Sequence, residues 1–431
     1  MPKGTGAGSV WSGWGPLLLA GWVLAGVGTA HATDGYFSHG AGVQQKGAGG
    51  TAIASPRDSL SIASNPANAL SLGNRLDAGV ELFRPDRSAS ITGNAFGADA
   101  SYDGNATETF FIPEFGYVRQ LNDKVAVGVA IYGNGGMNTD YASNPFARFG
   151  AAGDAGVNFE QLFITPTIAF RVGEEQSIGV SAIIVGQAFR AKGIAPFAAA
   201  SSDPANFTNR STDTAFGLGV RVGWLGQLTD RLRAGAYYQS RAYTQDFEKY
   251  RGLFADHGAF DVPSNFGIGL NYALSDQVSL AFDVRRINFS EVEAVGNTLA
   301  PLLVSGIPFG ASGGPGFGWE DSTSYKFGVD WRVSPSLTLR AGYDHAENPI
   351  PADQTFLNIL APGVVEDQYT IGATWALNDR VELSGYVLHA PERTVHGSNS
   401  IPPGAPPGFG GGEANISLGE TAAGFAVGWH Y

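Results

Sequence analysis

The sequence predicts an all-β protein, a transmembrane antiparallel β-barrel of about fourteen strands. Three observations predict this fold: segments that alternate apolar and polar residues run from Arg75 to the last residue, short turns alternate with long loops, and the chain begins with an export signal. Alternation places apolar side chains on one face of a strand and polar side chains on the other. Strands of this kind cross a bilayer only when they close into a barrel, because hydrocarbon satisfies no free backbone group.

The alternating segments define the strands and their connections. The predicted strands span 75–93, 108–120, 124–133, 158–172, 176–190, 213–227, 231–245, 262–274, 277–289, 322–333, 336–346, 366–377, 380–391 and 416–431. The short connections are rich in Asp, Asn and Ser, whose side chains bond the local backbone in tight turns. Short turns at one end and long loops at the other correspond to the periplasmic and extracellular ends of a bacterial barrel.

The charged face of each strand is predicted to line the lumen. In the segment 322–333, the apolar residues Tyr325, Phe327 and Trp331 alternate with charged residues such as Lys326. A charge at the bilayer midplane costs roughly 2–4 kcal/mol, so the apolar face meets lipid. The alternative is a large soluble β-sandwich with its charged face in water.

Tryptophan placement favours the membrane barrel over the sandwich. Trp224, Trp331, Trp375 and Trp429 lie on the apolar face, either just before a short turn or at the C-terminus. They are predicted to form one ring at the periplasmic interface, where an amphipathic indole is favoured.

Residues 1–32 are predicted to be a cleavable signal peptide. An apolar core from about Pro16 to Val27 follows Lys3, and Ala30-His31-Ala32 supplies the cleavage pattern. The mature chain is then expected to begin at Thr33 and to reside in the outer membrane of a Gram-negative cell. An uncleaved anchor helix is the alternative.

Composition and motifs exclude several classes of function. The chain has no cysteine and a formal net charge of −13, which argues against disulfide or thiolate sites and against nucleic-acid binding. The histidines are scattered, and no nucleophile elbow, phosphate loop or dinucleotide motif stands in a suitable context. We therefore expect no enzyme activity, no metal and no cofactor.

Residues 33–74 do not alternate and are predicted to form an N-terminal helical hatch, with the barrel occupying 75–431. In Asn65-Pro66-Ala67, Asn caps a helix and Pro fills its first turn. The segment from Ser59 to Ala63 is a candidate for a second short helical turn. A fourteen-strand barrel is too wide for its own side chains to fill, so an open pore or an inserted plug must follow. A disordered leader is the alternative.

Several motifs occur in order along the mature chain. They are Gly35-Tyr36-Phe37-Ser38, residues 47–52, Asp58, Asn65-Pro66-Ala67, residues 111–117, residues 132–138 and the aromatic C-terminus. Together they resemble the FadL-type outer-membrane transporters, which include the long-chain fatty-acid transporter and its aromatic-hydrocarbon relatives. The resemblance covers essentially the whole mature chain.

This resemblance implies a plugged barrel in which ligands enter from the extracellular loops, bind in an apolar lumen site and leave sideways through a gap in the wall. In the family the gap comes from an inward kink of the third strand, here 124–133, with the Asn-Pro-Ala motif near it. Asn65, Pro66 and Ala67 are therefore the candidate gating residues. Gly128 is a candidate for the kink, while Pro113 either loosens pairing beside the gap or marks a bulge.

Two sets of ligand-binding residues are predicted. The loop set is Phe197, Leu253, Phe254 and Phe260, a hydrophobic groove whose alternative is a small loop core. The lumen set is Phe163, Phe189, Arg221, Arg233, Arg241, Arg285 and Arg340. An arginine can hold a carboxylate, but the lumen acids Asp77, Glu81, Asp283, Asp330 and Asp344 make internal ion pairs the alternative.

The predicted function is passive uptake of hydrophobic small molecules, either long-chain fatty acids or related hydrocarbons, with lumen binding and lateral release. A general porin for polar solutes is the main alternative, followed by an outer-membrane lipase and a surface adhesin. Besides the substrate, the expected partners are outer-membrane lipid and lipopolysaccharide, and the assembly machinery that reads the C-terminal Tyr431. We expect a monomer.

Overall fold

The computed structural model describes residues 34–405 and 408–431. The predicted signal peptide and the predicted mature start at Thr33 lie outside the described residues. Within the described part of the chain, no helix is both long and apolar enough to cross a bilayer.

Sixteen strands form one sheet. They are β1 Arg75–Thr92, β2 Ala100–Asp103, β3 Phe110–Asn122, β4 Val125–Tyr141, β5 Ala155–Arg171, β6 Gln176–Lys192, β7 Asp213–Thr229, β8 Leu232–Gln239, β9 Tyr243–Thr244, β10 Asn265–Ala273, β11 Val278–Ile287, β12 Ser322–Ser334, β13 Leu337–Ala346, β14 Asp367–Ala376, β15 Val381–Val395 and β16 Glu413–His430. β2 and β9 are short additions, and the other fourteen strands each pair antiparallel with the next. β1 pairs with β16 along its whole length, which closes the barrel and confirms the predicted fold.

Strand side chains alternate between the outside and the inside of the barrel as predicted. In β12, Tyr325 and Phe327 are exposed while Lys326 between them is buried. In β16, Phe425 and Val427 are exposed while Ala426 is buried. The apolar face therefore forms the outer surface, and the charged face lines the lumen.

The tryptophans divide into two groups. Trp331, Trp375 and Trp429 are about half exposed on the outer surface near the short turns. Trp224 shares that face of β7, since Val222 beside it is also exposed. Trp319 differs because it lies in a long loop and is only 1% exposed.

Two strands, β4 and β8, depart most from the predicted bounds, and the others differ by a few residues at most. β4 extends to Tyr141 rather than ending near residue 133, because it continues to pair with β5 after its pairing with β3 has ended. β8 ends at Gln239 rather than near residue 245. The chain turns after Gln239, and Tyr243–Thr244 pairs with β7 as the separate strand β9.

The N-terminal segment, residues 34–74, lies inside the barrel and reaches from the short-turn end to the long loops at Tyr36. It contains an α-helix at Val43–Lys46 and 3-10 helices at Ser59–Ala63 and Pro66–Ser71. Glycines on the wall leave room for it. A Cβ at Gly179 would lie 2.4 Å from the carbonyl carbon of Pro66, and one at Gly342 would lie 1.9 Å from the amide nitrogen of Gly49. The segment thus fills the bore, and its action as a hatch stays a prediction.

The long loops fold over the other end of the barrel and carry the remaining helices. The α-helices are Ala255–Gly258, Glu293–Gly296, Ala300–Ser305 and Thr355–Asn358, and the 3-10 helices are Ala147–Phe149, Ala195–Ala200, Pro204–Asn206, Glu248–Tyr250, Phe289–Glu291 and Ala352–Gln354. Buried aromatic side chains from these loops join those of the upper strands in one apolar core.

Candidate functional site

The long loops enclose an apolar cavity of about 30 Å³. Its walls include the predicted loop residues Phe197, Leu253 and Phe254, together with Phe189, which was assigned to the lumen. Phe197 and Phe254 are each 3% exposed. In this structure these side chains form a packed loop core, and the open ligand groove stays a prediction.

A series of aromatic rings connects this cavity to the middle of the barrel. The ring centroid of Phe254 lies 4.9 Å from that of Phe260, which lies 4.7 Å from that of Phe159. Phe159 lies 5.9 Å from Tyr36, and Tyr36 lies 5.1 Å from Phe37. These separations are in the favourable range for aromatic pairs. The series ends on the N-terminal segment, so the loops and that segment share one apolar contact surface.

Trp319 joins the loops to the start of the N-terminal segment. Its ring centroid lies 5.8 Å from that of Tyr36, and its indole N–H donates to Asn358 Oδ1 at 2.7 Å. A Cβ at Gly35 would lie 2.9 Å from the Trp319 ring and 2.7 Å from Phe289. Gly35 also has a φ of +65°, which favours glycine. A glycine is therefore required at position 35 for the Phe289 and Trp319 rings to pack against the N-terminal segment.

A second cavity, of about 50 Å³, lies beneath the aromatic series. Phe37, Tyr132, Arg221 and Tyr237 line it. The predicted lumen residue Phe163 packs behind Tyr132, with ring centroids 5.7 Å apart. An apolar cavity of about 150 Å³ can hold benzene. The present cavity is much smaller, so an organic ligand enters only if the surrounding side chains or the N-terminal segment move.

Arg221 is a buried cation of this cavity without a carboxylate partner. Its guanidinium donates to Gln239 Oε1 and, at 3.4 Å, to Tyr132 Oη, and lies 5.6 Å from the Tyr237 ring centroid. Within the described residues no carboxylate forms an ion pair with it, and its Nε has no hydrogen-bond partner. Arg221 therefore presents an unpaired positive charge to this cavity.

The other predicted arginines have protein partners. Arg285 pairs with Asp34, Arg340 pairs with Asp330 at 2.8 Å, and Arg241 pairs with Asp261 at 2.8 Å. Arg233 lies near the short turns and donates to Gln227 Oε1 at 3.1 Å. For Arg285 and Arg340 the structure therefore shows the internal ion pair that was the alternative interpretation.

Two further charged residues, Asp34 and Lys326, were not among the predicted site residues. Lys326 Nζ lies 2.9 Å from Asp34, and it also donates to Asp344 and to the carbonyl of His39. Alternation indicated that Lys326 faces the lumen, but no sequence pattern connects it with Asp34, 292 positions away. Among the described residues no group of His, Cys, Asp and Glu is arranged to hold a metal ion.

Asn65 makes three hydrogen bonds, two within the N-terminal segment and one to the barrel wall. Its Oδ1 accepts from the amide of Ala67 at 3.0 Å, which confirms the predicted cap, although the turn is a 3-10 helix. Its Nδ2 donates to the carbonyls of Ile53 at 2.8 Å and Trp224 at 2.9 Å. Pro66 and Ala67 contact β6. The gating role of these residues stays a prediction.

The barrel wall contains an interruption between β3 and β4, which we call the window. The two strands pair only as far as Phe115 and Ile131, although β3 continues to pair with β1 as far as Phe110. Beyond the window, Asn105 bridges to Asp140 and closes the wall again.

β4 is bonded to the N-terminal segment where it borders the window. Its pairing with β5 shifts register between Gly133 and Gly135, so that Asn134 forms a bulge. The amide of Gly136 donates to the carbonyl of Tyr36 at 2.9 Å. The N-terminal segment thus replaces β3 as a backbone partner of β4, which draws this stretch toward the lumen.

The bulge of β4 lies at Asn134, whereas the kink was predicted at Gly128. Gly128 pairs in regular register with Val118 and Thr167, so it does not form the kink. Pro113 pairs with Val80 without a bulge and lies just beyond the last β3–β4 pair. It therefore borders the window, and its missing N–H removes a donor from that edge. The contacts of Asn65, however, are to β7 and to the N-terminal segment itself.

The short-turn end opens into a polar vestibule of about 470 Å³. Asp330 accepts there from Arg57 of the N-terminal segment at 2.7 Å and from Arg340 of the wall at 2.8 Å. Gln44 of the segment donates to Glu382 at 2.7 Å. An apolar solute leaving by this route would meet charged groups.

Comparison with known proteins agrees with this architecture. Residues 38–387 match the family of outer membrane protein transport proteins (OMPP1/FadL/TodX). No curated protein matches the sequence.

Solved structures of similar fold include two toluene transporters. TodX of P. putida is 16% identical, with a TM-score of 0.66 over 91% of this chain and 99% of that chain. TbuX of Ralstonia pickettii is 17% identical, with a TM-score of 0.64 over 91% and 99%. A FadL homologue of Pseudomonas aeruginosa is 16% identical, with a TM-score of 0.66 over 91% and 98%. The family match and the closed fourteen-strand barrel together establish that this chain is an outer-membrane β-barrel protein of the OMPP1/FadL/TodX transport family.

Proposed function

We propose that the protein mediates passive uptake of hydrophobic small molecules across the outer membrane, by binding them in the barrel lumen and releasing them sideways through the window. The observation that carries this proposal is the series of aromatic rings from the loop cavity to Phe37. It offers an apolar solute contacts that lipopolysaccharide and a water-filled pore do not.

Tyr36 couples ligand entry to the window. Its ring belongs to the aromatic series, and its carbonyl accepts from Gly136 of β4 beside the window. A ligand that displaces this ring also disturbs the backbone bond that holds β4 inward. Ligand binding then shifts the protein from the closed state, in which β4 is held inward, toward an open state. The size of this shift is set by the difference between the ligand's affinities for the two states.

Lateral release fits the chemistry of the two exits. The vestibule at the short-turn end is lined by charged and amide groups, including the Arg57–Asp330–Arg340 cluster. An apolar molecule would have to pass these groups into water. The window instead borders the exposed apolar residue Phe111 on the outer surface.

Arg221 allows an experiment to distinguish the two substrate classes of the proposal, long-chain fatty acids and uncharged hydrocarbons. A long-chain fatty acid would place its carboxylate on this unpaired guanidinium, whereas an uncharged hydrocarbon has no anionic group to pair with it. A toluene-like hydrocarbon would depend on the aromatic series alone.

The test is uptake of labelled long-chain fatty acid and of labelled toluene in a deletion strain that expresses the wild-type chain or a variant. Arg221→Gln should reduce uptake of the fatty acid about tenfold, the value of one charge-assisted contact, and leave toluene uptake unchanged. Tyr36→Ala should alter uptake of both. Arg286→Ala is the matched control, since this arginine is on the outer face of β11 and pairs with Asp321.

A porin would behave differently in planar bilayers. The wild-type chain is expected to show little steady ion current, because the N-terminal segment fills the bore. A large steady current, together with uptake of neither labelled substrate, would favour the porin and contradict the proposal.

A further inference from the structure

A groove of about 290 Å³ runs along the outside of the barrel at the window. Thr107 and Phe110 form one side of it, and residues of β4, β5 and β6 form the other. The groove-lining residues of those three strands are Asn138, Thr139, Asp140, Gly156, Val157, Asn158, Glu160, Arg190 and Lys192. We call this surface the window groove.

Strand alternation places the charged and amide side chains of the window groove on the outer face, whereas Thr139 points inward and donates to the carbonyl of Leu360. Phe159 of β5 and Phe189 of β6 are paired residues whose rings belong to the internal aromatic core. Their neighbours Asn158, Glu160 and Arg190 therefore point the opposite way, out of the barrel.

The window groove lies at the border between the apolar outer surface and the polar rim. Further down the same outer faces, Ile184 of β6 and Ile168 of β5 are exposed, and Phe111 of β3 is 60% exposed. Toward the long loops the outward residues become charged, as at Arg190 and Lys192. A molecule seated here therefore meets polar groups above and an apolar surface below.

Arg190 is the free cation of this groove. Its side chain is exposed, and within the described residues that side chain forms no ion pair and no hydrogen bond. Lys192, two residues along on the same face, pairs with Asp140 at 2.7 Å and lies 3.7 Å from Asp154. Glu160 accepts from Asn158 at 2.8 Å. An anion would bind Arg190 first, with Lys192 as a second donor.

We propose that the window groove is a binding site for an outer-leaflet lipid with a phosphorylated headgroup, in which the phosphoryl group binds Arg190 and the acyl chains lie on the apolar surface below. A guanidinium binds phosphate oxygens through two parallel hydrogen bonds. Basic side chains at the level of the headgroups attract anionic lipid headgroups, and Arg190 is the one basic side chain of this groove that no acid neutralises among the described residues. A bare hydrocarbon has no group that could use the polar lining.

The site would place a lipid at the edge of the wall opening. The outer face of β4 from Asn138 to Asp140 forms part of the groove, and the same strand is held inward by the Tyr36 carbonyl. A bound headgroup would therefore cover the window from outside, independently of any ligand in the lumen.

The test is native mass spectrometry of the full-length mature protein in detergent, titrated with bis-phosphorylated lipid A, dephosphorylated lipid A, inorganic phosphate or long-chain fatty acid. The wild-type chain should retain one bis-phosphorylated lipid A. Arg190→Ala should weaken its retention about tenfold, and Arg190→Lys should restore part of it, because one charge-assisted contact is lost and partly replaced. Arg286→Ala, on the opposite wall, is the matched control and should bind like the wild type.

The outcomes separate this proposal from the transport proposal. Equal retention by the wild type and Arg190→Ala, or equal retention of the two forms of lipid A, would overturn it. Displacement of lipid A by fatty acid but not by inorganic phosphate would assign the groove to the transported molecule and also overturn it. None of these binding results depends on uptake, so the transport proposal is tested separately, by the uptake assay.

Discussion

The two ends of the barrel are filled by different kinds of interaction. Near the short turns, the N-terminal segment is held by directional contacts such as Arg57–Asp330 and the three hydrogen bonds of Asn65. Beneath the long loops, the interior is packed with aromatic rings such as Phe254 and Phe260. The region near the short turns is polar and is stabilised by hydrogen bonds and ion pairs, which have a required geometry. The region beneath the loops is apolar and is stabilised by the burial of apolar surface.

This difference determines what each region tolerates. A buried polar contact loses most of its value if either partner changes, because the remaining group is left without a partner. An apolar contact has no direction, so another apolar group of similar volume can replace it at low cost. The loop region can therefore exchange a ring for a ligand, while the polar region keeps the N-terminal segment in one position.

Phe254→Ala is expected to have the largest effect. It removes a ring buried among Phe189, Phe247 and Phe260, and a cavity of this kind costs about 3–5 kcal/mol. Phe254→Leu keeps an apolar side chain and should cost less than about 1.5 kcal/mol. The unfolding midpoint in detergent and limited proteolysis of residues 246–261 measure both. If Leu were as damaging as Ala, the apolar region would not have the tolerance described.

Asp330→Ala should cost about 3 kcal/mol, because it leaves Arg57 and Arg340 unpaired beside each other. Asp330→Asn should be nearly as damaging, since it also removes the charge, in contrast to the conservative change at Phe254. Loosening of the N-terminal segment should appear as increased ion conductance in planar bilayers. Glu108→Ala is the control, because its pair with Arg84 is exposed and contributes less than about 1 kcal/mol. A wild-type conductance for Asp330→Asn would contradict the role of this cluster.

Asn65→Ala should cost about 2 kcal/mol, because it removes the cap and leaves the carbonyls of Ile53 and Trp224 without their donor. Asn65→Ser keeps a capping oxygen and loses both donors, so it should lie between Ala and the wild type. Uptake at equal surface expression and the unfolding midpoint are the measurements. If Ser matched the wild type in both, the two bonds of the Asn65 amide would be unimportant for holding the segment.

Arg251→Ala should have the smallest effect. Hydrogen bonds from Asn206 and then from Arg251 lower the pKa of Asp203 below its ordinary value. A carboxyl with a lowered folded-state pKa contributes stability above its unfolded pKa of about 3.9, and loses it as the pH falls through the lowered value. The difference in melting temperature between variant and wild type should therefore be small at pH 7 and disappear in acid. A difference that grew on acidification would have the wrong sign.

The strands could be predicted from the sequence because lipid imposes a strict alternation on every crossing. Lys326 and Asp330 were placed correctly in the lumen for this reason. The partners of these residues could not be predicted, because Asp34 and Arg57 lie in a segment that does not alternate. Burial inside the barrel removes the contrast between two faces on which the prediction depends.

The bulge of β4 escaped prediction for a related reason. Gly128 was the predicted position of the kink, but other glycines of this strand are equally able to bend it, and the bulge lies between Gly133 and Gly135. The choice depends on the backbone bond between Gly136 and Tyr36, which joins residues distant in the chain. The loop aromatic residues were recognised by their apolarity, but their packing into a closed core depends on contacts among loops that carry no periodic pattern.

Trp319 gives the molecule an internal optical reporter. It is buried between the loops and Tyr36, while Trp224, Trp331, Trp375 and Trp429 lie on the outer face of the barrel. Its emission should be blue-shifted and insensitive to aqueous quenchers, whereas that of the other four should respond to brominated lipid. Displacement of the N-terminal residues would admit water to the indole, so the opening of the bore can be followed by fluorescence without an added label.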